Sequence, residues 1–363
     1  MLRLNNITLT QFKNYSQKTY DFAGDIIAIY GKNGVGKTNL LDAIHYLSFT
    51  KSYFGGADAQ QVQTGREGFR VSGNFSLQEE PFPVSVVLRE NGKKEMSCNG
   101  VMYEKFSSHL GRFPVVLIAP DDIELINGGS EIRRRFLDTI LCQTDTDYLQ
   151  TLIRYNRVLQ QRNGYLKQAA ITKRKDETLL ETLDEQMSSA GFIIFEKRQA
   201  FAPAFKKLML NYYLEVAGTP EKVDFIYESQ LSNQSLDILL KQSREKDYLL
   251  QRTNFGIHKD NLDLLLEGQP FKNRGSQGQK KSLLFALKLA ELSSIRSVKG
   301  FSPVLLLDDA FEKLDANRMT NLLQHICGKM KTQLFLTDTH RERIEAIFQK
   351  MGQPVQFIEI GSD

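Results

Sequence analysis

The chain has 363 residues, of which 41% are hydrophobic and 25% charged, and its formal net charge is +4. This composition excludes a disordered chain, and the length predicts two or three domains or one domain with a large insertion. The sequence has no signal-peptide layout, no membrane-length apolar run and no zinc-type or disulfide-type cysteine spacing, so we expect a cytoplasmic protein without a membrane partner.

The first predicted elements are strands around a helix. Residues 2–9 alternate between apolar and polar side chains, as in a half-buried strand, and residues 25–30 form a second, more apolar strand. From residue 38 to 47, apolar residues recur at helical spacing. Residues 69–104 contain strand-like runs separated by turn signals, which predicts one or more hairpins.

The remainder of the chain is predicted to be helical in its middle and mixed toward its end. A strand at 115–119 precedes a Leu-, Gln- and Lys-rich stretch at 131–215, which predicts several helices. A mixed or β-rich stretch, a long helix and two apolar strands follow, at 222–267, 276–295, 303–307 and 333–337.

The order of these elements predicts an α/β core built from both ends of the chain. We expect one lobe from residues 1–120 and 245–363, and a mostly helical insertion from residues 121–244. No repeat of 20–50 residues and no low-complexity linker indicates another arrangement.

A phosphate-binding loop lies between the second strand and the helix. Its glycines let successive backbone N–H groups turn toward a phosphate, Lys37 adds a positive charge, and the Thr38 hydroxyl can bind Mg²⁺. The following helix directs its positive end at the anion. A chance match in a chain of this length is expected on the order of once in a hundred sequences. ATP with Mg²⁺ is therefore the predicted ligand of Gly31, Lys32, Asn33, Gly34, Val35, Gly36, Lys37 and Thr38.

The apolar strand that ends at Leu307 is followed by two acids, Asp308 and Asp309. Ligands of open α/β sheets bind at the carboxyl ends of strands. We expect Asp308 to hold Mg²⁺, directly or through water, and Asp309 to orient or deprotonate the attacking water. Two acids at this position could equally cap a following helix or turn. The phosphate-binding loop upstream favours the catalytic interpretation, with Lys37, Asp308 and Asp309 as catalytic residues.

A third motif, Ser276–Gln279, stands at the start of the long helix. Ser276 is suited to cap that helix, whose open N-terminus can accept an anion. The four residues Ser276, Gln277, Gly278 and Gln279 also resemble the signature motif of ABC-type ATPases, which is usually Ser-Gly-Gly-Gln. In that superfamily the motif contacts the γ-phosphate held by the other subunit, so the resemblance implies a nucleotide-binding role in a dimer.

Two shorter segments fit the same superfamily. Leu314–Asp315 resembles the D-loop of the dimer interface, and Thr337–His340 stands where the switch loop is expected. His340 is either the switch residue or a surface histidine that starts the next helix. Lys37 and Ser276 lie 239 residues apart, more than in transporter cassettes and too few for long coiled-coil arms. The chain therefore resembles an ABC-type ATPase head of the chromosome-maintenance class without its arms.

The most specific resemblance is to the RecF family of bacterial recombinational-repair ATPases. It is carried, with the motifs above, by Phe12–Tyr15, Asp42–Ser48, Ala119–Ile126, Arg133–Asp138, Tyr155–Asn163 and Gly256–Leu262. These segments cover most of the chain from residue 12 to about 315, and the residues after about 340 match weakly. Lys51–Phe54 departs from the expected Lys-Ser-Phe-Arg, so a basic contact is lost or moved. Asp309 replaces the glutamate of the wider superfamily, as in other RecF-like chains, which implies slow hydrolysis.

The RecF resemblance implies a DNA-binding homodimer that depends on ATP and has a weak, DNA-stimulated ATPase activity. Each ATP would lie between one phosphate-binding loop and the partner copy's signature motif, with Lys13 and Asn14 also near the nucleotide. ATP binding would close a DNA-binding surface, and hydrolysis would release it. The implied role is to recognise gapped or single-strand/duplex junction DNA together with RecO and RecR, and to help load RecA.

Basic residues in the predicted helices are candidates for phosphate contacts. Charge runs on helices are more often solvated faces, and the absence of tryptophan argues against base stacking as the main mode of DNA binding. The candidates are Arg133, Arg134 and Arg135, followed by Arg154, Arg157 and Arg162.

Two other functions are consistent with a phosphate-binding loop. One is the nucleotide-binding subunit of a membrane transporter, which the long insertion and the Arg133–Asp138 segment disfavour. The other is a small-molecule kinase, which would not need the Ser276–Gln279 motif.

Overall fold

The computed structural model describes residues 1–309 and 322–361. Its contacts divide the chain into two compact units. The first comprises Met1–Asp122, Glu215–Gly218 and Leu284–Asp363, and the second comprises Ile123–Leu214 and Thr219–Leu283. Residues 245–283 thus group with the mainly helical unit, whereas the sequence-based division assigned them to the other lobe. The division into an ATPase lobe and a helical lobe stays a prediction.

The strands and helices are numbered here in chain order. The strands are β1 (Leu2–Phe12), β2 (Tyr15–Asp21), β3 (Ile26–Tyr30), β4 (Phe69–Leu77), β5 (Glu80–Leu88), β6 (Lys94–Cys98), β7 (Val101–Met102), β8 (Val115–Ile118), β9 (Val223–Glu228), β10 (Asn261–Leu266), β11 (Gln269–Pro270), β12 (Val304–Leu307), β13 (Leu334–Asp338) and β14 (Gln356–Glu359). The α-helices are α1 (Lys37–Phe49), α2 (Glu124–Asn127), α3 (Ser130–Thr144), α4 (Thr146–Thr172), α5 (Glu177–Ala217), α6 (Leu236–Leu250), α7 (Phe271–Arg274), α8 (Gln277–Lys299) and α9 (Arg341–Met351).

Two sheets form the first unit. One is antiparallel in the order β2-β1-β4-β5-β6-β7, and the other is parallel in the order β14-β3-β13-β12-β8. In the parallel sheet β13 lies between β3 and β12, with Leu336 opposite both Ala28 and Leu307. The carboxyl ends of these three strands therefore lie side by side, and there the chain enters the phosphate-binding loop and the acid pair.

One hydrophobic core serves both sheets of the first unit. It takes the inward-facing residues of β1, such as Leu4 and Ile7, the buried side of α1, and Phe335 from the parallel sheet. The buried amide of Gln333 ties the two sheets together, because it accepts a hydrogen bond from the Leu4 N–H (2.7 Å) and donates one to the Leu4 carbonyl (3.0 Å). Burial of this amide is tolerated because its polar atoms have partners.

The second unit contains α2–α4, most of α5, α6, α7, the first residues of α8 and the small antiparallel sheet β11-β10-β9. Two arginines are fully buried in it. Arg162 bonds to Asp184 and Asp247, and Arg198 bonds to Asp138 and Asp260. Paired acids compensate the cost of burying each guanidinium group.

The structure confirms the predicted α/β fold and most of the predicted elements. The strands at 2–9, 25–30, 115–119, 303–307 and 333–337, the hairpins within 69–104, the helices within 131–215 and the long helix near 276–295 are all present. The sequence did not predict β2 and β14, which are edge strands. In β2 only Tyr15 and Tyr20 are buried, so the strand has almost no apolar pattern. Across the described ranges, no helix is long and apolar enough to cross a membrane.

Candidate nucleotide site

Glycine is required at two positions of the phosphate-binding loop. Gly31 has a φ of +151°, and a Cβ there would lie 2.3 Å from the Ile360 carbonyl oxygen. Gly36 has a φ of +112°, and a Cβ there would lie 2.5 Å from the Asn14 amide nitrogen. The positive φ disfavours a side chain at both positions, and the backbone carbonyl of Ile360 also leaves no space for one at Gly31. Gly36 is also the residue from which α1 begins.

Asn14, in the turn between β1 and β2, holds the phosphate-binding loop through hydrogen bonds. Its amide nitrogen donates to the Val35 carbonyl (2.9 Å), and its amide oxygen accepts a hydrogen bond from Asn39 (2.7 Å). The predicted site residue Asn14 is therefore next to the loop, as expected for a residue near the nucleotide. A direct nucleotide contact by Asn14 stays a prediction.

A comparison of two alanine variants separates backbone strain from lack of space. Gly34 also has a positive φ, +82°, but a Cβ there would meet no atom within 4 Å. We expect Gly34→Ala to lower the free energy of unfolding by about 1 kcal/mol through backbone strain alone. Gly36→Ala should cost a further ~1–3 kcal/mol, because the Asn14 amide must shift and weaken its hydrogen bonds with Val35 and Asn39. Urea unfolding without nucleotide measures both, and equal losses would contradict the proposed clash.

Lys37 is nearly buried inside the loop. Its ammonium group donates to the carbonyls of Gly31 (2.9 Å) and Lys32 (3.0 Å). Only 4% of the residue is exposed. A buried positive charge whose hydrogen-bond partners are neutral carbonyls fits a site for an anionic ligand, since buried charges are normally paired.

The two residues predicted to bind Mg²⁺ are adjacent in the structure. The Thr38 hydroxyl lies 2.9 Å from each carboxylate oxygen of Asp308, although 270 positions separate the residues in sequence. Burial raises the pKa of Asp308 despite hydrogen bonds from Thr337 and Thr38, which lower it. Oxygen ligands of this kind are those that Mg²⁺ prefers, so the pair fits the ion. The metal-binding role stays a prediction.

Asp309 follows Asp308 in an uncommon backbone conformation. Its φ is +41°, and its N–H donates to the Thr337 hydroxyl (2.8 Å). The same hydroxyl lies 2.9 Å from an oxygen of Asp308. In the sequence, Thr337 stands out only as part of the switch-like segment, because no local pattern shows the pairing of β12 with β13.

The switch-like segment leads into α9. His340 is exposed and is the N-cap residue of that helix, as the surface-histidine alternative expects, and a switch role for it stays a prediction. Asp338 is buried and accepts hydrogen bonds from the His340 N–H (2.9 Å) and from Arg343. The D-loop-like pair Leu314–Asp315 lies outside the described residues.

Lys13 is held by an acid on α1. Its ammonium group forms an ion pair with Asp42, which is fully buried, and lies 5.4 Å from the centroid of the Phe54 ring. Asp42 also accepts a hydrogen bond from Ser52 (2.7 Å). Lys13 thus fixes the segment after α1, and its predicted nucleotide contact stays a prediction.

The departure at Lys51–Phe54 has a structural consequence. Lys51 is exposed, whereas Tyr53 reaches into the protein and bonds through its hydroxyl to Asp122. The buried Lys288 donates to the same hydroxyl (3.2 Å). Tyr53, where phenylalanine is expected, therefore joins a buried polar cluster of the first unit. The basic contact is lost at the next position, where the exposed Phe54 replaces the expected arginine.

The signature-like motif lies in the second unit and forms a reciprocal cap at the start of α8. The Gln279 N–H donates to the Ser276 hydroxyl (3.2 Å), and the Ser276 N–H donates to the Gln279 side chain (2.8 Å). This is the capping-box arrangement. Ser276 is exposed, so it is accessible to another molecule. The capping interpretation is confirmed, and nucleotide contacts by Ser276, Gln277, Gly278 and Gln279 stay predictions.

The three consecutive arginines differ in their surroundings. Arg133 donates to the Gly128 carbonyl (2.7 Å), and Arg134 donates to the Asp260 carbonyl. Burial lowers the pKa of both guanidinium groups. Arg135 is exposed and paired with Glu131. Arg133 and Arg134 thus stabilise the second unit, Arg135 is the accessible member, and DNA contact by any of the three stays a prediction.

The proposed DNA contact by Arg162 is wrong. The residue is 0% exposed and lies between two acids of the second unit. Helical spacing alone could not distinguish this position from Arg154 and Arg157, which are exposed.

Comparisons with known proteins agree with this geometry. A family model described as an AAA domain matches residues 6–353. DNA replication and repair protein RecF of Flavobacterium johnsoniae is 39% identical over 359 residues, covering 99% of this chain and 100% of the relative. The RecF protein of Bacteroides thetaiotaomicron is 38% identical, covering 98% of this chain and 96% of the relative.

Solved structures of RecF proteins are also similar to this chain over most of its length. The recombination mediator protein RecF bound to ATP, of the RecFOR pathway, is similar with a TM-score of 0.86 and 32% identity, covering 94% of this chain and 92% of that chain. A second RecF structure, with ATPrS, has a TM-score of 0.87 and 30% identity, covering 94% of this chain and 93% of that chain. The Smc head domain from Pyrococcus furiosus shares the fold, with a TM-score of 0.57 and 16% identity.

Proposed function

This chain belongs to the RecF family of DNA replication and repair proteins, and we propose that it is an ATP-gated DNA clamp of recombinational repair. In this proposal ATP and Mg²⁺ bind at Gly31–Thr38 and Asp308. ATP binding pairs two copies of the chain around DNA, and slow hydrolysis, assisted by Asp309, releases it.

The arrangement of Lys37, Thr38 and Asp308 is the observation that carries the proposal. The buried ammonium group of Lys37 faces neutral carbonyls, and a hydroxyl and a carboxylate meet within 2.9 Å beside it. This combination supplies a charge for phosphate and oxygen ligands for Mg²⁺. When bound, the metal would neutralise charge on the phosphates during hydrolysis. The ATP complex of a RecF protein with 32% identity supports the same ligand.

Dimerisation is proposed because Ser276 caps a helix whose N-terminus could complete the site of a second copy. Ser276 is exposed and precedes the 23-residue helix α8. The N-terminus of such a helix favours an anion such as the γ-phosphate of ATP. In this arrangement Ser276–Gln279 of one copy would contact the nucleotide held by Lys37 of the other.

The proposed DNA substrate is a gap or a junction between single-stranded and duplex DNA. RecO and RecR are the proposed partners, and loading of RecA is the proposed outcome. The solved relatives, described as recombination mediators of the RecFOR pathway, support this assignment. The chain contains no tryptophan, which favours contacts with the DNA backbone over base stacking.

Sedimentation of the protein with and without ATP·Mg²⁺ and a gapped duplex tests the proposal. We expect a monomer without nucleotide, a dimer with ATP·Mg²⁺, and co-sedimentation of DNA with the dimer only. A monomer under every condition, or DNA binding that is independent of ATP, would contradict the proposed clamp.

We expect Ser276→Arg to prevent ATP-dependent dimerisation while the monomer still binds ATP. The bulky arginine would occupy the space that the partner's nucleotide needs, and the lost cap would cost about 1 kcal/mol of stability. Analytical ultracentrifugation with ATP·Mg²⁺ measures the effect. Ser235→Arg is the control for an arginine at a helix start, because Ser235 is the exposed N-cap residue of α6 in the same unit, with no cap hydrogen bond from its side chain. A Ser276→Arg protein that keeps full dimerisation and activity would favour the small-molecule kinase instead.

A further inference from the structure

Thr337 has an unusual position in the parallel sheet. It lies in β13, between the strand that enters the phosphate-binding loop and the strand that ends at the acid pair. Its side chain is 0% exposed, and its hydroxyl lies 2.9 Å from Asp308 Oδ1. It also accepts a hydrogen bond from the Asp309 N–H at 2.8 Å. One buried hydroxyl therefore contacts both consecutive acids.

The donor and acceptor roles of Thr337 follow from its partners. An amide N–H can only donate, so the Thr337 oxygen accepts from the Asp309 N–H. The hydroxyl hydrogen of Thr337 has two carboxylate acceptors in range, Asp308 Oδ1 at 2.9 Å and Asp309 Oδ1 at 3.5 Å, and the shorter distance favours Asp308. Asp308 thus receives hydroxyl groups from two sides, Thr38 and Thr337. Hydrogen bonds to a charged carboxylate are stronger than those between neutral groups.

The two contacts of Thr337 have different consequences. The bond to Asp308 holds the carboxylate in the orientation that faces Thr38. The bond from the Asp309 N–H holds the backbone turn in which Asp309 has a φ of +41°. Residues other than glycine rarely adopt this conformation, and surrounding contacts must maintain it. The conformation of this turn sets the direction of the Asp309 side chain.

We propose that Thr337 is a positioning residue of the nucleotide site, which keeps Asp308 ready for Mg²⁺ and fixes the turn that carries Asp309. The inference rests on the proposed function. A Thr38 hydroxyl that turns to the metal gives up its hydrogen bonds to Asp308. Thr337 is then the described residue whose hydroxyl still holds that carboxylate in place.

Three substitutions separate the hydroxyl of Thr337 from its shape. Thr337→Val keeps the branched shape and removes the hydroxyl, whereas Thr337→Ala and Thr337→Ser both lose the methyl group and only serine keeps the hydroxyl. Thr332→Val is a matched control, since Thr332 is also buried and bonds through its hydroxyl to Pro303 at the opposite end of the same strands.

The main readout is the ATP-induced rise in melting temperature, titrated with Mg²⁺ and repeated with Mn²⁺. We expect Thr337→Val and Thr337→Ala to raise the half-saturating metal concentration about tenfold, the size of effect expected for a hydrogen bond to a charged group. Thr337→Ser should stay within about threefold of the parent chain, because its hydroxyl is retained. Thr332→Val should lower the melting temperature without changing the metal dependence.

The possible outcomes distinguish this inference from the proposed function. A parent chain that binds ATP, with Thr337→Val and Thr337→Ala showing the parent's metal dependence, overturns the role of Thr337 alone. A parent chain that does not bind ATP overturns both. Should Thr337→Val fail to fold, the comparison of Thr337→Ala with Thr337→Ser decides, and equal metal dependence in that pair overturns the inference.

Discussion

Lys37→Met should reduce ATP affinity at least about a hundredfold while the chain remains folded. Charge-assisted hydrogen bonds contribute roughly 1.5–3 kcal/mol each, so loss of one ammonium group that bonds to phosphate oxygens accounts for such an effect. Among residues 1–309 and 322–361, the hydrogen-bond partners of the Lys37 ammonium group are the carbonyls of Gly31 and Lys32. Methionine is similar in length and apolar, so it can occupy the same buried space.

Isothermal titration with ATP·Mg²⁺ measures this loss of affinity, and thermal unfolding without nucleotide establishes that the variant is folded. Lys350→Met is a suitable control, because Lys350 is exposed in the last turn of α9 and has no place in the proposed site. A Lys37→Met chain that binds ATP within a few-fold of the parent would show that the loop is not the nucleotide site.

Asp309→Asn should trap an ATP-bound dimer on DNA. Loss of a general base lowers the rate of hydrolysis by about a hundredfold or more, while ATP binding through Lys37 and Thr38 is retained. Asparagine suits this position because it tolerates a positive φ better than most residues. The backbone N–H that donates to Thr337 is unchanged, so the turn at 309 should persist.

Single-turnover hydrolysis and the lifetime of the dimer on a gapped duplex are the measurements for Asp309→Asn. Asp21→Asn is the control, since Asp21 is an exposed acid at the end of β2. A variant that stays monomeric with ATP, or that hydrolyses ATP at the parent's rate, would refute the proposed role of Asp309.

The RecF resemblance was visible in sequence, but the function of its most specific segments was not. The hydroxyl of Tyr155 lies 2.8 Å from His258, and Asp260 bonds to Arg198 within the second unit. These residues, which carry the resemblance, are thus part of a largely buried polar network. Arg198 itself lies in the middle of the 41-residue helix α5 and belongs to no recognisable motif. The structural role of Arg198 depends on its hydrogen bonds to Asp138 and Asp260, which lie 60 and 62 positions away in the sequence.

The sequence by itself determined the phosphate-binding loop. Eight consecutive residues specify it, because glycines permit the required backbone angles and the next helix begins directly after them. The apolar strand before Asp308 was equally visible, since a buried parallel strand is a continuous apolar run. Local patterns of this kind can be recognised without any knowledge of tertiary contacts.

Only the tertiary structure decided which side chains meet around that loop. Thr38 and Asp308 are 270 positions apart, and Thr337 reaches Asp308 only because β13 pairs in parallel with β12. Asn14, in the turn between β1 and β2 of the antiparallel sheet, donates a hydrogen bond to the Val35 carbonyl of the loop. Strand order and register place these residues together, and no local pattern encodes either. The loop is therefore a property of the sequence, whereas the hydroxyl and carboxylate groups arranged around it result from the packing of distant strands.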